Sequence, residues 1–120
     1  MFKASFKTAY LQREIPMTVA VAGDKPLVVG EMVTLTAASG AIPASIKSAA
    51  TVAAATHIIA QSDMTMEYGH VPVENRDYKY SDEVAATIAA AGPVAANTPT
   101  KKVALFAITD KDDLIVKTVA

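Results

Sequence analysis

The stretch M-T-V-A-V-A-G-D-K-P-L-V-V-G-E-M-V-T-L-T-A-A-S-G, Met17 to Gly40, decides the fold class. Valine and threonine recur through Met17 to Ala22 and again through Met32 to Thr36, a composition suited to pleated, half-buried strands. Gly23-Asp24-Lys25-Pro26 predicts a turn, because glycine supplies a permissive backbone and proline presets its own φ. Leu27-Val28-Val29 then runs into Gly30-Glu31. A glycine between two short apolar runs marks a bulge or a tight corner, as small barrels need. Ala37-Ala38-Ser39-Gly40 closes the unit as another turn before Ile42. The run predicts a mainly β domain.

Towards the N-terminus, Ile15-Pro16 is expected to break the chain between two extended segments. Phe2, Ala4, Phe6 and Thr8 fall on one side of the first segment and Lys3, Ser5 and Lys7 on the other. Residues 1–15 therefore read either as an ordinary first strand or as an extended arm that adds to a neighbour's sheet edge. The lysines would discourage promiscuous edge pairing.

Towards the C-terminus, Ala44 to Thr56 is open between a short helix capped by Ser45 and a slack connection into the strand His57 to Gln61. Ser62-Asp63 predicts a turn, Tyr68 to Val73 an extended segment placed at an edge or bend by Pro72, and Tyr78-Lys79-Tyr80 a strand. Val84 to Ala91 carries both signals: Ser81, Asp82 and Glu83 before it and Gly92-Pro93 after it suit a helix, while Val84, Ala86 and Ile88 suit β pairing. Lys102 to Thr109 and Leu114 to Val119 read as the two strands of a hairpin whose charged tip is Asp110 to Asp113. The expected architecture is one domain over residues 1–120, a small β-sandwich or barrel-like unit with at most one or two short helices.

Composition narrows the function classes. The chain has 120 residues, 52% of them hydrophobic and 19% charged, enough for one closed core and too apolar for disorder. A formal net charge of −1 supplies no excess positive charge to pull on phosphates, so no nucleic-acid partner is expected. The absence of cysteine removes disulfides and thiolate metal sites. No apolar run approaches the roughly 20 residues of a membrane-spanning helix, and no membrane partner is expected. Met1 to Lys7 alternates too regularly for a signal peptide. Much of the apolar count is alanine, which buries little area per residue, so a thin core would profit from burial against neighbouring subunits.

Thr56 to Tyr80 concentrates the polar chemistry, with both histidines and three of the four tyrosines. His57, Asp63 and His70 have the side-chain types that bind zinc or iron, although their spacing matches no ligand motif. Against a metal stands the ordinary reading of polar groups satisfied by hydrogen bonds. Ser62 with a histidine lacks the G-x-S-x-G context of a nucleophile. Asp110, Asp112 and Asp113 lack the glycine and distal glutamate of a calcium loop and read as a solvated tip. Glu74-Asn75-Arg76-Asp77, framed by Tyr68, Tyr78 and Tyr80, suits recognition, since interfaces favour arginine and tyrosine. Arg76 pairing locally with Asp77 or Glu74 is the plain alternative. No cofactor is expected.

Three stretches resemble small tailed-phage head proteins: A-T-H-I-I-A-Q-S-D-M-T (Ala55 to Thr65), Y-G-H-V-P-V-E-N-R-D-Y (Tyr68 to Tyr78) and K-K-V-A-L-F-A-I-T-D-K-D-D (Lys101 to Asp113). Val28 to Gly40 is similar to the early hairpin of such chains. The family is that of capsid decoration, or cement, proteins, and its motifs are structural rather than catalytic. The resemblance implies a β-rich, non-enzymatic subunit on the outer surface of the virion, made in the host cytoplasm. Its partners would be the major capsid protein and further copies of itself, commonly as a homotrimer, and it would stabilise the expanded head. Candidate interface residues are Phe2, Phe6, Tyr68, Arg76, Tyr78 and Tyr80. The alternative is a small metal-dependent β-barrel enzyme using His57, Asp63 and His70; a third reading is a host-facing binding module.

Overall fold

A computed structural model describes residues 1–8, 13–62, 87–88 and 90–119. Within them the strands are β1 (Phe2–Phe6), β2 (Glu14–Val21), β3 (Leu27–Val28), β4 (Met32–Thr36), β5 (Ser45–Ser48), β6 (His57–Ser62), β7 (Thr87–Ile88), β8 (Lys101–Ala107) and β9 (Leu114–Thr118). A closed barrel forms in the order β2-β5-β4-β6-β8, with β8 returning to β2. All its neighbours are antiparallel except β2 and β5. The barrel-like, mainly β expectation holds. The one helical element among the described residues is a 3-10 turn, Lys111–Asp113.

Alternation along the strands produces two separate cores. Val19, Val21, Val33, Ile46, Ile59, Val103 and Leu105 fill the barrel interior with Leu27. The intervening residues Met32, Ile58, Ala104 and Phe106 point outwards and are buried as well, together with Ala4, Phe6 and Leu114 of β1 and β9. Those two strands form a ribbon that covers the outside of the barrel wall. This explains V-A-L-F, Val103 to Phe106, as an unbroken apolar run: the strand is buried on both faces. The register shifts at a bulge between Ile59 and Gln61, and Ala60 between them joins the outer core.

The C-terminal pairing differs from the expected hairpin. Both predicted strands exist, but β8 has β2 on one edge and β6 on the other, so no edge is left for β9. The Asp110 carboxylate accepts the Asp112 N–H at 2.9 Å and starts the 3-10 turn, which carries the chain to β1 instead. There β9 pairs antiparallel from Phe2↔Thr118 to Phe6↔Leu114. Asp113 is not a solvated tip residue: it accepts from the Thr8 N–H at 3.1 Å and the Thr8 hydroxyl at 2.7 Å, which ties the end of β1 to the turn.

Ile15-Pro16 does not break the chain, since β2 runs through both. Proline is tolerated because β5 joins β2 only at Ala20 and Val21, leaving the Pro16 half with β8 on one side among the described residues. Ser45 opens a strand rather than capping a helix. Thr87–Ile88 pair with Leu27–Val28, so β pairing wins over helix at that point of the Val84 to Ala91 segment; residues 84–86 and 89 lie outside the described set. The predicted turns hold at Gly23 (φ +96°) and at Gly40 (φ +58°), where a two-residue loop joins Ser39 to Ile42.

Candidate functional site

Among the described residues a cleft of about 480 Å³ lies between the β2–β3 turn, the end of β5 and the start of the ribbon. The reciprocal bonds Gly23 N–H to Gly92 O (3.1 Å) and Gly92 N–H to Gly23 O (2.9 Å) fix its turn. Leu27 and Glu31 form the buried floor, and Asp24, Lys25, Lys47 and Ser48 bring polar groups to the exposed rim.

Glu31 is 2% exposed although ionisable. Gly30, at φ +91°, turns the corner that delivers it there. Its carboxylate accepts from the Val28 N–H at 3.3 Å and from Ser48. Loss of hydration raises its pKa above the ordinary 4.5; those two hydrogen bonds, the amino terminus and the Lys3 ammonium pull the other way without cancelling the rise. Lys3 is the cross-strand partner of Glu31 and is itself 5% exposed. The expectation that Lys3 guards an outer edge is therefore wrong, and Lys7 alone of that pair is exposed.

The remaining predicted residues separate. His57 lies on β6, half-buried, with Nδ1 2.8 Å from the Thr56 hydroxyl. Burial lowers its pKa below the ordinary 6.5. Below 6.5 the unfolded chain takes up a proton before the folded one does, so stability should fall as pH drops from 6.5 through the folded value. His57→Gln should flatten thermal stability across that window; an unchanged slope would show that the ring carries no such linkage. Asp63 and His70, its proposed metal partners, lie outside the described residues, among which no group of three metal-ligating side chains occurs.

Of the interface candidates, Tyr68, Arg76, Tyr78 and Tyr80 also lie outside the described residues. Phe6 is a core residue, packed edge-on against Phe106 with ring centroids 5.5 Å apart. Phe2 is half-buried against the same cluster. Sequence reasoning missed Glu31, whose signal was a single acid wedged between the apolar runs Leu27 to Val29 and Met32-Val33. It also missed Ile115 and Val116, both exposed on β9, because L-I-V shows no alternation to say which face turns outwards. No family model, curated protein or solved structure matches this chain.

Proposed function

We propose that the chain is a structural protein that binds the outer surface of a phage capsid through the β1–β9 ribbon and stabilises the expanded head as an oligomer. The observation that carries the reading is the exposed apolar pair on β9. Among the described residues this strand has β1 on one edge only, and Ile115 and Val116, on its opposite faces, are 45% and 37% exposed. Natural edge strands are usually blunted by charge, bulges or a cover. An exposed apolar pair on such a strand suits one that is covered in an assembly. The resemblance of Ala55 to Thr65, Tyr68 to Tyr78 and Lys101 to Asp113 to decoration proteins supports the same reading. Many modest contacts over a lattice give high avidity without one strong site.

The test is cosedimentation of the purified chain with expanded heads of the phage that encodes it. The wild-type chain should saturate the heads and raise their resistance to heat. Ile115→Lys should weaken binding about tenfold, as for a buried contact worth over 1 kcal/mol, while changing stability by less than about 0.5 kcal/mol. No binding by the wild-type chain would overturn the proposal, and stoichiometric zinc or iron with turnover would do so in favour of the metal-dependent alternative.

A further inference from the structure

We infer that Glu31 is a titratable latch: its deprotonation releases the β1–β9 ribbon from a barrel that stays closed. The inference concerns the isolated chain and does not depend on the proposed function.

Three observations carry it. First, the barrel interior shares no residue with the core beneath the ribbon, so the interior can stay packed when the ribbon lifts. Sub-global opening of such a unit is a general property of folds built this way. Second, Lys3↔Glu31 is the bridge that joins the ribbon to the barrel alongside the bond from the Ala4 N–H to Gly30 O at 3.0 Å. Both side chains of that bridge are buried, so the ribbon's seam contains charge that water would stabilise better. Third, Glu31 and Met1 line the same cleft, which gives water a route to the seam.

The groups facing Glu31 set the sign. Lys3 and the amino terminus approach from the ribbon, Ser48 and Lys47 from β5, and Asp24 and Lys25 from the turn across the cleft. The cations favour the carboxylate, but burial outweighs them, and lifting the ribbon removes the burial. A proton bound more tightly in the closed form must close the ribbon when it binds. Rising pH therefore opens it.

Amide hydrogen exchange on the whole chain, expressed as protection factors, tests this. Ala4 reports ribbon protection through its bond to Gly30, which crosses to the barrel; Lys7 and Val119, bonded to Asp113 and Met1 within the ribbon, show whether it stays paired when it lifts; Ala20, Ala22 and Thr56 report the barrel through Ala44, Ile46 and Val33. Between pH 4.5 and 8, ribbon protection should fall by up to about tenfold per unit within the titration window, the limit for one proton. Barrel protection should stay level. Glu31→Gln should hold ribbon protection constant with pH. Lys3→Met should lower it about tenfold at neutral pH by stripping a compensating charge, and Lys3→Met with Glu31→Gln should restore it, since an emptied pair leaves no bare charge. Equal loss in ribbon and barrel, or a pH response that survives Glu31→Gln, would overturn the inference. Should that variant fail to fold, the pH at which wild-type ribbon protection levels off must coincide with the Glu31 carboxyl titration seen by NMR, and a mismatch would overturn it equally.

Discussion

Phe106→Ala should lower the free energy of unfolding by about 3–5 kcal/mol, a large part of the roughly 5–15 kcal/mol a domain holds. The ring is 1% exposed and projects from the outer face of β8. Phe6 meets it at 80°, an edge-to-face geometry that contributes about 0.5–1.5 kcal/mol beyond buried area. Truncation thus removes both the ring's own burial and the seat of Phe6, the buried aromatic of the ribbon. The loss should be uneven. The cluster that holds Ala4, Leu114 and Phe6 loses its large ring, whereas the one that holds Val103 and Leu105, on the opposite face of the same strand, keeps all its members. Denaturant unfolding should show the lowered midpoint, and hydrogen exchange should show ribbon amides losing protection before barrel amides. A cost under about 1 kcal/mol would mean that the ribbon is not seated on this ring at all.

How much of this was legible in the sequence follows from the range of the forces involved. Local signals read well: the valine and threonine runs became β2 and β4, and Gly23 and Gly40 took positive φ in turns where the chain reverses. Partnership did not. β9 lies next to β8 in sequence, and a short charged segment between them looks like a hairpin tip, yet β9 pairs with residues more than a hundred positions away. Nothing local distinguishes the two outcomes; the choice is made by β2 and β6, which occupy both edges of β8. The same long-range event buried Lys3 and Phe6, which the alternation of Phe2 to Thr8 had placed half in and half out. Glu31 escaped notice because its environment is assembled from β1, the β2–β3 turn and β5, three segments brought together only by barrel closure and the docking of the ribbon on it.

Leu105→Ala, one residue away from Phe106 on the same strand, should cost a similar amount for a different reason and with a different signature. Leu105 is fully buried and points into the closed interior among Val19, Val33, Ile46, Ile59 and Val103. Loss of its methyl groups costs about 2–5 kcal/mol, the cavity adding about 24 cal/mol for each Å³ that the surroundings fail to fill. A barrel closed by hydrogen bonds on every side cannot contract around a void without shearing its ladders, which places the expected cost in the upper half of that range. Every strand of the ring feels the void, so ribbon and barrel amides should lose protection together and the transition should stay cooperative. The pair of substitutions therefore separates the two cores within one strand: Phe106→Ala loosens the cover, Leu105→Ala weakens the whole ring. If Leu105→Ala instead released the ribbon alone, the interior would not be the element that holds the barrel shut, and a latch on its outer face would have no fixed wall to act against.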